Sequence, residues 1–251
     1  MNSETEMGGS VPSFPTTRPS FVARLRSDSA EERAWAADRL VRSYWKPVYK
    51  YLRLRFRKSD QDAKDLTQAF LTRALEKDWP ARFDARRGRF RGFVRLALDG
   101  FVANAEQAAR RDKRGGGKAP LSLDFDAAEG ELAGLEPPAP ESLDEWFERE
   151  WRRELFGDTL LALERALTAS GHARRLALFQ RYDLADEALA PRPTYAELAR
   201  EHGIEVSTVT NELAAARREF RRLLLERLRE ETNDEDEFRE ALHALLGGEM
   251  P

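Results

Sequence analysis

Between residues 21 and 114 apolar side chains recur at three- and four-residue intervals, the rhythm of helices that bury one face. Phe21, Leu25, Trp35 and Leu40 predict one or two short helices, and Ser29 followed by Glu32 has the spacing of a capping box. Tyr44, Trp45, Val48, Tyr49, Leu52 and Phe56 continue the rhythm. Pro47 suits the first turn of that next helix, where its missing amide proton costs least. Over 59–77, Ser59 or Asp60 offers a cap, and Ala63, Leu66, Phe70, Leu71, Ala74 and Leu75 form an apolar stripe; Asp62, Lys64, Asp65 and Gln68 occupy the other side. Pro80 and Gly88 interrupt the pattern and mark 78–90 as a turn-rich connector. One more helix is expected from Phe90 to Arg114, closing on Arg110, Arg111, Lys113 and Arg114 ahead of three glycines.

Residues 115–141, with GGGKAP and EPPAP, have the composition of a linker. Helical spacing resumes with Leu143, Trp146, Phe147, Trp151, Leu155 and Phe156 and extends through Leu160–Leu167 and Leu176–Tyr182. The sharpest local pattern follows. Thr194 caps one helix with Glu197 three residues on, Gly203 breaks it, Ile204 and Val206 pack the turn, and Ser207 caps a helix carrying Val209, Leu213 and Ala216. This is helix-turn-helix spacing. The last residues place an acidic cluster before Phe238, Leu242, Leu245 and Leu246, again at helical intervals. The predicted fold is all-α: a flexible tail (1–20), a helical domain (21–114), a flexible acidic linker (115–141), a second helical domain holding the helix-turn-helix (142–230), and an acidic amphipathic extension (231–251).

Composition narrows the function classes. With 251 residues and 41% hydrophobic content, the chain can bury real cores. It has no uninterrupted apolar run of membrane-spanning length, and its first residues lack a basic start and apolar centre, so a cytoplasmic address without membrane insertion is expected. Zero Cys and three scattered His exclude a disulfide scaffold and disfavour metal sites, so neither metal nor cofactor is expected. No glycine-rich nucleotide loop, HExxH or GxSxG occurs; the glycines at 115–117 sit in the linker, and no enzyme is expected.

The net charge of −3 conceals two unlike halves. Residues 21–114 carry 24 Lys or Arg against 13 Asp or Glu, whereas residues 115–251 carry 17 against 30. A basic module joined to acidic sequence suggests a polyanion-binding face with segments able to screen it. Phe90, Phe93 and Phe101 beside Arg89, Arg91, Arg95, Arg110 and Arg111 suit an unstacked strand, the rings covering bases and the guanidinium groups holding phosphates; some of these rings must instead be core. Asn104 is a candidate base contact. In the helix-turn-helix, Ser207, Thr208, Thr210 and Asn211 can reach base edges or nearby phosphates, while Arg217, Arg218 and Arg221 position the backbone. The acidic extension could cover the basic surface, or pack as a stabilising helix.

Asp62, Ala63, Asp65, Leu66, Thr67, Gln68 and Phe70, in DAKDLTQAF, resemble the region 2 core helix of bacterial RNA polymerase sigma factors of the sigma-70 class, in the extracytoplasmic-function branch. Arg89, Phe90, Arg91, Gly92 and Phe93, with the helix after them, are similar to the segment engaging the promoter −10 element. The pattern at 194–222 is similar to region 4, which reads the −35 element. The resemblance implies that Asp62, Asp65 and Gln68 dock on the beta-prime subunit of bacterial core RNA polymerase, that promoter DNA is the second partner, and that an anti-sigma factor or regulatory kinase controls the chain. Lys64 and Ala69 stand where acidic residues are frequent in that family.

Overall fold

The computed structural model describes residues 21–77, 79–109, 121–132, 135, 142–185, 191–232 and 234–247. The expected tail, together with Arg110 and Arg111, lies outside these residues. Among the described residues the protein is all-α, with ten α-helices and no strand. They are α1 (Phe21–Arg24), α2 (Ala30–Arg55), α3 (Asp60–Glu76), α4 (Phe90–Ala109), α5 (Phe125–Gly130), α6 (Leu143–Ala169), α7 (Ala173–Asp183), α8 (Tyr195–His202), α9 (Val206–Glu231) and α10 (Glu235–Gly247). Two 3₁₀ turns, Trp79–Arg82 and Ala85–Arg87, lead from α3 to α4.

Ser29 caps α2 by accepting the amide of Glu32, and the helix then runs 26 residues without a break. The short helices expected on either side of Leu40 are therefore one, and Pro47 lies in its interior rather than in a first turn. An interior proline costs about 3 kcal/mol through a lost hydrogen bond and crowding of the preceding turn. Each apolar side chain fully buried returns about 1.5–3 kcal/mol, and Tyr44, Val48, Tyr49, Tyr51 and Leu52 are all buried around the proline. Tertiary packing decides the outcome.

α2 is the axis of the main core, which extends from Val22 in α1 to Ala241 in α10. Tyr44 meets Phe90 of α4 edge-on at 5.6 Å and Phe147 of α6 at 6.5 Å. Tyr51 meets Phe147 at 5.8 Å. α6 touches α2, α4, α7 and α9, so helices from both sides of the expected linker share this core. A smaller cluster, Leu178, Leu198, Ala199, Val209 and Leu213, fills the space between α7, α8 and α9. Glu231, at the end of α9, is buried against α2, where Arg39 pairs with it at 2.7 Å and Ser43 donates its hydroxyl. Its other oxygen accepts from the Trp151 indole of α6 at 3.4 Å.

The acidic linker departs from expectation in its middle. Asp124 caps α5 by accepting the amide of Ala127, and Phe125 inserts between Trp45 at 5.5 Å and Tyr49 at 5.2 Å. Glu129 pairs with Arg53 at 2.5 Å, and Glu131 with Lys46 at 2.9 Å and Lys50 at 2.6 Å. This stretch is a packed helix, because the acids that suggested a solvated linker are partners for cations on α2.

Candidate nucleic-acid interface

The connector between α3 and α4 presents an exposed cationic strip, with Arg82, Arg86, Arg87 and Arg89 all exposed. Gly88 has φ +129°, a conformation that side chains disfavour, and it lets the chain swing from the second 3₁₀ turn into α4. Arg86 and Arg87 project into solvent, about nine-tenths exposed. Arg86 grips Asp84 through two hydrogen bonds of 2.9 Å and holds that carboxylate below its ordinary pKa. Beside the strip, a hollow of about 300 Å³ opens between α3 and α4. Phe70, Trp79 and Phe101 form its aromatic wall, with Phe70 5.4 Å from Trp79 and 5.5 Å from Phe101. Arg73, Lys77, Arg82 and Asn104 also line it. Rings flanked by cations can stack a base and hold its phosphates.

Asn104 is exposed on α4 at the edge of this hollow. Phe90 is fully buried, and Phe93 and Phe101 are half-buried inside aromatic clusters. Arg73, Lys77, Arg82, Arg86 and Arg87 were missed. The signal was present as five cations between 73 and 87, but the broken periodicity of the connector hid the surface they share.

Arg91 and Arg95 require a correction. Both were expected to face phosphates, yet both are buried where α4 meets α6. Arg91 is 2% exposed, donates to Glu148 at 2.6 Å, lies 3.4 Å from Glu237 of α10 and stacks 3.9 Å over the Trp151 ring. Burial works against its charge, but Glu148, Tyr44 and Glu237 outweigh it and raise the guanidinium pKa. Arg95 bridges Asp144 of α6 at 2.5 Å and Asp99 at 2.7 Å. Arg89 is more open and pairs with Glu240 of α10 at 2.6 Å. The physical reason is charge matching: the first two turns of α6 and of α10 present four carboxylates to this arginine row. Between the strip and α6 lies a larger hollow of about 880 Å³, one wall carrying Arg87 and Arg89 and the other Asp144, Glu145 and Glu148.

On α3, Asp62 and Asp65 are exposed, as a docking face requires. Asp62 closes the helix start by accepting from the Ser59 hydroxyl at 2.7 Å, and Asp65 accepts from Gln61 at 3.0 Å. Gln68 is half-buried and clasps the backbone of Leu121, accepting its amide at 2.9 Å and donating to its carbonyl at 3.4 Å. Lys64 pairs with Asp60 at 2.9 Å and lies 3.6 Å from Asp126 of α5. Lys64 thus reaches the packed helix within the expected linker.

In the second half, Thr194 and Glu197 form the expected capping box, and Gly203 ends α8 in a left-handed conformation with φ +61°. Ile204 packs on the small core, but Val206 is 45% exposed. Ser207 is not a cap: α9 starts at Val206 after Glu205, and no side chain caps it. Ser207, Thr210 and Asn211 are exposed along the start of α9, whereas Thr208 is half-buried. Thr210 donates to the Val206 carbonyl at 3.1 Å. Arg218 and Arg221 point outward; Arg217 is held by Asp183 at 2.8 Å and by the Tyr195 hydroxyl at 3.4 Å, which raises its pKa. These bonds tie α9 to α7 and α8, while 41% of the Arg217 side chain stays exposed.

Among the described residues no cluster of His, Asp and Glu is placed to hold a metal ion, and no helix is long and apolar enough to cross a membrane. No family model, curated protein or solved structure matches the chain.

Proposed function

We propose that the chain is a sigma factor of the extracytoplasmic-function type, which docks on bacterial core RNA polymerase and directs promoter-specific initiation. The observation that carries this reading is the exposed start of α9, where Ser207, Thr210 and Asn211 form a polar edge next to Arg218 and Arg221. In this reading α8 and α9 are a helix-turn-helix whose second helix enters the major groove at the −35 element, and 21–114 and 142–230 act as two functional halves. The connector cations and the aromatic hollow between α3 and α4 hold the unpaired −10 strand, whose stacking offsets the cost of opening it. Asp62 and Asp65 supply the acidic face for the basic surface of beta-prime.

A second reading, a helix-turn-helix regulator or sigma-like adaptor that does not open DNA, draws on the burial of Arg91 and Arg95 in the α4–α6 seam. Co-elution with purified core polymerase separates the two. The sigma reading expects a stable complex that Asp62→Lys with Asp65→Lys abolishes while circular dichroism stays unchanged. Absence of a wild-type complex, with tight duplex binding by the free chain, selects the regulator. At the duplex, Asn211→Ala should alter sequence preference, whereas Arg218→Ala should weaken all sequences and lower the salt slope by about one.

A further inference from the structure

Three arginines of the α4 face are engaged by carboxylates from elsewhere in the same chain. Arg89 binds Glu240, Arg91 binds Glu148 with Glu237 3.4 Å away, and Arg95 binds Asp144. The seam is incompletely satisfied: although Arg91 is buried, neither of its terminal nitrogens makes a hydrogen bond. A guanidinium fork matches two oxygens of one phosphate, and a buried donor without an acceptor destabilises the state that holds it. α10 is anchored by Phe238 and Ala241, with Arg229 stacked 4.7 Å from the Phe238 ring, while Glu240 remains accessible at the rim of the seam. The contact therefore combines an apolar anchor with anionic groups at an arginine row. A polyanion would contest the second without needing the first.

We propose that α10 and the first two turns of α6 are an internal occupant of the arginine face, holding the isolated chain closed until α10 releases. This rests on the nucleic-acid reading above and names how that face is regulated. The carboxylates of Asp144, Glu148, Glu237 and Glu240 take the places that phosphates take in the open state. Release of Glu237 and Glu240 opens the rim first, and α6 then parts from α4 to free Arg91 and Arg95.

The test measures binding of a fluorescein-labelled oligodeoxythymidine to the full chain at low salt by anisotropy. The Glu237→Gln, Glu240→Gln variant should bind roughly tenfold tighter than wild type. Glu235→Gln with Asp236→Asn changes net charge equally on the same helix, at side chains that pair with Arg239 and not with α4. It should stay within about twofold of wild type, which separates closure from general attraction. Glu240→Gln alone, at an exposed position, should give part of the gain and covers the case in which the double variant misfolds. Equal affinities for the rim and control variants overturn the closure. If Arg86→Glu with Arg87→Glu abolishes binding while the rim variants match the control, the nucleic-acid reading stands and only the closure falls. If no chain binds, alone or with core polymerase, both fall.

Discussion

Replacing Arg91 by alanine separates a structural cation from a nucleic-acid contact. The substitution takes the guanidinium away from Glu148, 2.6 Å from it, and from the buried Glu237, 3.4 Å from it, and removes the stack over Trp151. Breaking a buried pair by removing one partner costs about 3–5 kcal/mol. A desolvated cation–π contact adds up to about 2 kcal/mol. These contributions share one side chain and do not add fully, and relief of the two unsatisfied nitrogens offsets part of the loss. The expected destabilisation is about 3–4 kcal/mol, a large share of the roughly 5–15 kcal/mol of a typical domain. Urea unfolding followed by far-ultraviolet circular dichroism should show the midpoint falling with little change in slope. A second chain, Arg91→Met with Glu148→Gln and Glu237→Gln, should recover part of the loss, because a neutral replacement of the network strands no charge. Stability of Arg91→Ala within about 1 kcal/mol of wild type would refute the buried seam.

Three other outcomes follow from single sites. Glu154 is pushed up to about 7 by burial, since Lys46 at 3.2 Å is shared with Glu131 and Asp158 adds like charge. A carboxyl with a raised folded pKa keeps its proton after the unfolded chain has lost it, so this site lowers stability as pH rises from 4.5 to about 7. The full penalty, about 3 kcal/mol, is present above that window, and Glu154→Gln should flatten the pH profile of the melting midpoint and stabilise the chain most at alkaline pH; an unchanged profile contradicts the assignment. Gly203→Ala meets no atom within 4 Å at its new Cβ, so its cost is conformational, about 1 kcal/mol, read by thermal unfolding. Phe125→Ala should strip hydrogen-exchange protection from 121–132 while the global midpoint moves by less than the roughly 3–5 kcal/mol of a deeply buried phenylalanine, because α5 can undock locally; retained protection would show that the acid–base pairs alone hold it.

The local signals in the chain are those a short window can carry. Ser29, Ser59, Thr194 and Gly203 sit at the helix ends their chemistry requires, and the apolar stripe of α3 is buried where Ala63, Phe70, Leu71 and Ala74 predict. Pro47 misled because its cost is local and the burial that overrides it is not. Ser207 misled because exposure of Val206 at the helix start cannot be read from spacing. The site shows the same division. Residue type and helical phase placed Asp62, Asp65, Asn104, Thr210 and Asn211 on the surface, whereas Arg91, Arg95 and Arg217 look identical to surface arginines until Glu148, Asp144 and Asp183, each 34 or more residues distant in the chain, are brought beside them.

Those partners explain what the unequal halves of the chain do. Many cations of the first half meet acids of the second where helices pack, some buried and some at the rim: Arg39 with Asp158 and Glu231, Lys46 with Glu154, Lys50 with Glu150, Arg53 with Glu129, Arg91 with Glu148 and Arg95 with Asp144. A basic excess therefore does not measure the basic surface. It is divided by position, Arg39, Lys46, Lys50 and Arg53 of α2 with Arg91 and Arg95 of α4 joining helices while Arg82, Arg86 and Arg87 of the connector stay exposed. Buried pairs are screened little by salt and exposed cations strongly. On the proposed reading, raising ionic strength should consequently weaken nucleic-acid binding through the connector well before it loosens α6 from α2, which keeps the fold and the ligand response electrostatically separate except along the arginine row of α4, where Arg89 is the accessible member.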